Sequence, residues 1–414
     1  RHLECSLQNI QFRLTDTSAL VRIHYRRQKS YVNTINRSCM RFTVVSCLHT
    51  LGLYYYAYAP MQLVVGLLLD RYGSRRPLAV ACFICAAGAA LFASAWSLGW
   101  LGGGRFLAGF GSAFAYVGTI YVASVWFPTC RIALLAGVTA ALGMVGAVLG
   151  EMVLGGLGDA ISWRTTAWAF AATGVILGLL IWAIVPNRPA WFEASILKSR
   201  AESGSGVFAG LKCVLRSRQT WCLSIVAGLL YLPVGTFGAL WGDRYLCECL
   251  EMTAHQASTG DAILFVGLGI SAPLLGWWSD RSGRRRTTLV IGILLALLST
   301  AGLLLLTSES SDLAYGLLFG MGFGVGAIVV AFPMGMDLNP HHARGAAITF
   351  INFFQMLLAG AGQWGIGVLL DFGQGDSMSS YSITDYRTAF TVLPISLVLA
   401  LGLVLLMRDQ PCRG

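Results

Sequence analysis

Two short stretches set charge directly against apolar chain: GLLLDRYGSRR at 66–76 and GWWSDRSGRRR at 276–286. Each reads G-x3-D-R-x-G-x-R-R, and they lie 210 residues apart (276 − 66 = 210). The carboxylates Asp70 and Asp280 are set where they could accept hydrogen bonds at the start of a neighbouring helix, whose dipole end is positive. Gly73 and Gly283 permit a tight turn, and Gly66 and Gly276 permit close approach of another helix. Arg71, Arg75 and Arg76 in the first copy, and Arg281, Arg284 and Arg285 in the second, pin the loop to one aqueous face. This chemistry is electrostatic clasping rather than bond making. A plain stop-transfer cluster would account for the arginines but not for the matched glycines and aspartates.

A second set of residues carries charge inside otherwise apolar runs, where ionisable groups are costly and are functional candidates by default. Arg105 and Glu151 each lie about seven residues from the same end of successive antiparallel runs, roughly 10 Å deep at 1.5 Å per residue. They are expected to form an ion pair or to share a polar cavity. One reading gives Arg105 an anionic substrate and Glu151 a proton; the other lets the pair lock two helices and nothing more. Asp261 is either a second polar site or a solvated residue near a helix entrance. Tyr231, Trp241, Asn352 and Gln355 are further cavity candidates. His49 is expected to be a packed polar residue, and Tyr54, Tyr55, Tyr56 and Tyr58 cover more than one helix face. Pro60, Pro233, Pro273 and Pro333 fall inside apolar runs and are expected to kink them.

The elements that position these residues follow from composition. Of 414 residues, 56% are hydrophobic and only 12% are charged, against about 25% charge in a typical soluble domain. Eleven apolar runs are long enough to span a bilayer: about 42–69, 77–98, 99–126, 131–157, 163–185, 219–243, 255–279, 287–307, 312–336, 345–370 and 387–407. They are continuous rather than alternating, which excludes barrel strands. With the Asp70–Arg76 loop placed in the cytoplasm, the inner segments collect 17 lysines and arginines and the outer ones three (Arg164, Arg244, Arg387). Such a split orients the chain and explains the net charge of +10 without nucleic acid. The eleven cysteines are scattered and read as small buried side chains. Glycine rows such as Gly316-x3-Gly320-x3-Gly324 and Gly146-x3-Gly150 read as helix-packing faces. GFGVGA at 322–327 matches a dinucleotide fingerprint formally, but no strand precedes it, so no nucleotide is assigned. No phosphate loop, zinc-protease motif or nucleophile elbow is present; no cofactor, metal or enzymatic reaction is expected.

The twin loops resemble the signature of the major facilitator superfamily. RFLAGFG at 105–111, Trp163-Arg164 and GAAITFIN at 345–352 extend the likeness over about 42–410. YYYAYAPMQ before the first loop is similar to bacterial facilitators and to the lysosomal dipeptide-carrier branch. The resemblance implies an all-α integral membrane protein of two pseudo-symmetric bundles, with 12 helices in the family and about 11 here. It implies segments 1–41 (polar start), 42–186 (first bundle, family helices two to six), 187–218 (basic, flexible cytoplasmic linker) and 219–410 (second bundle, family helices seven to twelve). It further implies that the twin loops latch the halves in one state of an alternating-access cycle. Glu151 stands where the family's antiporter pattern has proline, which argues against a drug/proton antiporter.

The function so implied is secondary active transport of a small organic solute, by proton symport, in a monomer of the bacterial inner membrane with lipid and solute as partners. The alternative is a non-transporting receptor or an inactive truncated member. That alternative draws on residues 1–41, which hold eight basic residues and no apolar run where the family has its first helix; a truncated or frame-shifted start is expected there. Substrate and coupling ion are not legible in the sequence.

Overall fold

The computed structural model describes residues 53–54, 57–58, 60–157, 163–187, 189, 209–306, 311–373 and 382–407. The expectations for residues 1–41, His49, Tyr55 and Tyr56 lie outside them. No strand occurs among the described residues, and nine helices there are long and apolar enough to cross a membrane: Arg75–Ala93, Gly99–Trp126, Arg164–Ile184, Arg218–Cys249, His255–Ser282, Arg285–Leu305, Ser311–Asp337, His341–Leu370 and Ile383–Leu406. The run at 131–157 is the helix Ile132–Leu157, and the run ending at 69 is helical over 60–72. Large apolar side chains lie outermost, with Leu298 69% and Leu406 78% exposed. In water such surfaces would be an aggregation liability; against lipid tails they are the expected exterior.

The chain divides into two compact units. The first comprises residues 1–62, 72–115 and 145–187. Its centre is the helix Arg75–Ala93, which packs on Leu98–Ser112 and on Trp163–Ile184. Small residues decide both contacts. A Cβ on Gly88 would lie 2.8 Å from the Gly104 carbonyl oxygen, and one on Gly104 would lie 2.8 Å from the Phe92 amide nitrogen. Gly174 likewise faces Ala86. In lipid no hydrophobic force drives helices together, so backbone approach through small residues supplies the attraction.

The second unit comprises residues 63–71, 116–144 and 188–414. Here Ala254–Ser282 packs on Ser311–Val325, which in turn packs on Arg285–Leu305. A Cβ on Gly324 would lie 2.5 Å from Ala296 N and from Gly292 O, and one on Gly320 would strike Ser299, whereas one on Gly316 would meet open space. The glycine row is therefore a packing face over two of its three positions. For Gly146, by contrast, no described atom lies within 4 Å of a Cβ built there, and the surroundings of Gly150, next in that row, lie outside the described residues. Within the stretch expected to be a linker, Ala209–Arg216 is an amphipathic helix. Its Val214 is buried with Ala343, Ala346, Ala347 and Phe350, because residues 210, 213 and 214 share one face while Lys212 and Arg216 point to solvent.

Two of the four prolines adjoin irregular turns, while Pro273 lies within the continuous α-helix Ala254–Ser282. Pro233 precedes a π-helical stretch, Val234–Trp241, and Pro333 follows a 3-10 stretch, Gly326–Val330. A proline removes one amide donor from the ladder, and a wider or tighter turn rearranges the remaining bonds. At the first site the Gly235 carbonyl accepts a hydrogen bond from the Gln363 side chain at 2.7 Å.

Close packing of this kind is testable. Gly324→Leu forces a side chain against backbone that cannot yield, and should lower stability by about 1–3 kcal/mol. Gly402→Ala, where nothing lies within 4 Å, should raise it by up to about 1 kcal/mol through helix propensity. Thermal unfolding of the detergent-purified protein reads both; equal effects would refute this account of the glycines.

Candidate functional site

The first loop aspartate ends the helix 60–72. Asp70 is 6% exposed, and its two oxygens accept hydrogen bonds from the backbone N–H groups of Gly345 at 3.0 Å and Ala346 at 3.1 Å. These are orphan donors of the first turn of Arg344–Gly373, which have no partner within their own helix. A carboxylate placed there in a partly buried setting contributes up to about 2 kcal/mol. The contact requires close backbones: a Cβ on Gly66 would lie 2.6 Å from the Gly345 carbonyl oxygen and would also strike Thr349. Gly73 turns the chain with φ 80°.

The second copy repeats the device. Asp280 accepts a hydrogen bond from Leu134 N–H at 2.9 Å, at the start of Ile132–Leu157, and Gly276 lies against the Ala133 carbonyl group. Gly283 turns with φ 67°. Here an arginine joins in. Arg285, with its side chain 1% exposed, lies 3.2 Å from Asp337 and 3.9 Å from Asp280. Charges taken out of water need compensation of this kind, and one positive group between two carboxylates supplies it. Arg344 extends the polar cluster by donating to the Ser124 carbonyl oxygen at 3.2 Å.

The remaining loop arginines differ in environment. Arg71, Arg76, Arg281 and Arg284 are exposed. Arg75 donates to the Trp182 carbonyl oxygen at 2.6 Å and stacks over the Trp182 ring at 5.5 Å. Asp337, Arg344 and Leu134 N–H are partners that sequence reasoning did not single out. Asp337 had a signal: it is a lone acid closing an apolar run, in GMDLNP. No acid lies between Ala115 and Arg131, so the first repeat has no equivalent, and symmetry does not point to Asp337.

The intramembrane candidates fall into separate surroundings. In the first unit, Arg105 sits 5.4 Å from the Phe92 ring, and Tyr54 hydrogen-bonds Ser112 at 2.8 Å. The side chain of Glu151 lies outside the described residues, so the pair with Arg105 does too. In the second unit, Asp261 lies against the Cα of Gly242, where the π-helical stretch returns to α-helix. Tyr231 packs beside Gly235. Trp241 donates to the Gln363 carbonyl oxygen at 3.2 Å and carries Arg244 over its ring at 5.9 Å. Asn352 and Gln355 are buried, 2% and 4% exposed, and neither amide nitrogen has a hydrogen-bond partner. Each such orphan costs about 1–3 kcal/mol.

Comparison with known proteins decides the family. The sequence profile of the Major Facilitator Superfamily matches residues 42–246 and 235–414. The chain belongs to the major facilitator superfamily. Among solved structures, the fucose:proton symporter of E. coli matches with a TM-score of 0.67 and 16% identity, over 88% of this chain and 92% of that one. The proton:xylose symporter bound to 6-bromo-6-deoxy-D-glucose matches with a TM-score of 0.69 and 14% identity, over 100% and 96%. At such identities the likeness is one of fold. Among curated proteins, a probable nitrate/nitrite antiporter of Thermus thermophilus is 27% identical over 240 residues, 54% of this chain and 51% of that protein. The chain thus aligns with about half the length of that relative. This superfamily member is a multi-pass membrane protein of transporter kind, not an enzyme.

The buried ionic cluster gives a prediction. Arg285→Met removes the positive group that Asp280 and Asp337 share and should cost about 3–5 kcal/mol. Adding Asp337→Asn to that variant should restore part of the loss. The thermal midpoints of the three proteins test this, and a milder single variant with no rescue would contradict it.

Proposed function

We propose that the chain is a secondary active transporter that moves a small organic solute by alternating access, driven by protons. The single observation that carries this reading is the pair of matched contacts: Asp70 on the first turn of Arg344–Gly373 and Asp280 on the first turn of Ile132–Leu157. Each joins sequence more than 140 residues away, and each is made of hydrogen bonds that water can replace. In the proposed cycle these contacts close one face of the membrane and release when that face opens. The exposed arginines hold the loops at the aqueous boundary. Support for proton coupling comes from the symporters that share the fold, for a bacterial inner membrane from the Thermus thermophilus relative, and for loops on the inner side from their basic charge. The protein acts as a monomer in this reading.

The coupling carboxylate in this reading is Glu151 or Asp261, two acids inside membrane-spanning runs away from the clasp. Neutralising the right one should abolish accumulation driven by a pH gradient while leaving solute exchange intact in proteoliposomes. Loss of neither in both Glu151→Gln and Asp261→Asn would remove proton coupling at these residues.

The clasp has its own test. Asp70→Asn keeps the shape but removes the charge, and should shift the conformational balance by roughly tenfold, the equivalent of about 1.4 kcal/mol. A cysteine at Thr349, buried against Gly66, should then react about ten times faster with a membrane-impermeant maleimide in a cysteine-depleted background. An unchanged rate, with unchanged transport, would end the clasp interpretation.

A further inference from the structure

We propose that Asn352 and Gln355 form part of a solute subsite selective for a neutral, polyhydroxylated molecule such as a monosaccharide or a polyol; the proposal rests on the transporter reading above. The two residues are three apart on Arg344–Gly373, and so share a helix face about 4.5 Å apart along the axis. That face is filled on both sides of them. Towards its start, Gly66 packs on Gly345 and Thr349; further along, Gly235 meets Ala359 and Thr236 meets Gly362. Between these contacts stand two buried amide nitrogens, neither with an acceptor. Folding alone has no use for such groups, since an apolar side chain of the same size would fill the place at lower cost. A ligand that brings acceptors gives them a use.

The class of ligand follows from what surrounds the amides. Arg344–Gly373 carries no charged residue between Gly345 and Leu370. Its one cation, Arg344, is eight residues before Asn352, roughly 12 Å along the axis, and is engaged with the Ser124 carbonyl group. An anion such as nitrate would find no counter-charge on this helix. An aromatic pair is available instead. Gly335 of Ala331–Asp337 packs on Ile351, and a short connection makes that helix antiparallel to Arg344–Gly373. Phe332, one turn before Gly335, is therefore carried to the level of Gln355. Its ring meets Tyr116 edge-to-face at 5.4 Å. Amide donors for hydroxyl oxygens, with rings at a similar level along the helix for a carbon face, suit a sugar-like solute better than a salt.

The test uses purified full-length protein and four radiolabelled probes: D-xylose, L-fucose, D-mannitol and nitrate. At least one neutral probe should bind saturably and raise the thermal midpoint, and nitrate should not. Asn352→Leu and Gln355→Met should each weaken that binding by tenfold or more. Without solute, both variants should melt at or above the wild-type temperature, because each removes an orphaned polar group. Asn352→Ala replaces Asn352→Leu where the larger side chain prevents folding. Saturable nitrate binding with no neutral probe bound, or no probe bound at all, would overturn the ligand class. Unchanged binding in both variants, or a large loss of stability in both without solute, would overturn the site. A bound neutral probe that is not carried across proteoliposomes would leave the subsite standing and remove the transporter reading instead.

Discussion

The interaction on which the rest depends is a carboxylate placed at the open end of a helix. Asp70 satisfies two backbone donors that their own helix cannot. Its strength comes from alignment with the helix dipole and falls steeply with distance. The contact is therefore controlled by geometry, and the geometry by Gly66. A side chain at that position would hold Gly345 away and pull the donors out of reach of Asp70. Glycine and aspartate, four residues apart, act as one device; neither has meaning at the signature loop without the other.

The two copies of this device are unequal. Asp280 shares its cluster with Arg285 and Asp337, all deeply buried. Asp70 has helix donors, while Arg75, the residue matching Arg285 at the 210-residue offset, turns to the carbonyl group and ring of Trp182. A buried arginine between two acids costs much to disturb, because any single loss strands a charge. Duplication of a motif therefore need not mean duplication of its surroundings.

Much of this was legible in the residues. Continuous apolar runs gave the helices almost to their ends, since a bilayer leaves the backbone no other solution. The repeat identified the clasp because glycine, aspartate and arginine each meet a separate physical demand there. What could not be read were the partners: Leu134 N–H and Gly345 N–H are backbone groups that any residue would supply, and Asp337 has no counterpart in the first repeat. The helical character of Ala209–Arg216 was hidden by its length, because eight residues next to a glycine- and serine-bearing stretch look like tether until Val214 finds Phe350 and its neighbours. Gly146 shows the limit of spacing as a signal: among the described residues nothing lies within 4 Å of a Cβ placed there.

Polar residues in the second unit divide by whether they are satisfied. Gln363 is: its amide caps the Gly235 carbonyl and its backbone accepts Trp241, so one residue ties an irregular turn to a regular helix. Asn352 and Gln355, on the same face two to three turns earlier, are not. The same amide chemistry is structural in one place and idle in the other, and the difference is the neighbour rather than the residue. A chain stabilised by fractions of a kcal/mol per residue retains two idle buried amides only where something outside the fold compensates for them. In a membrane transporter that something arrives from solution and must leave again. Donors that bind weakly and singly suit this better than charges that would hold their ligand fast.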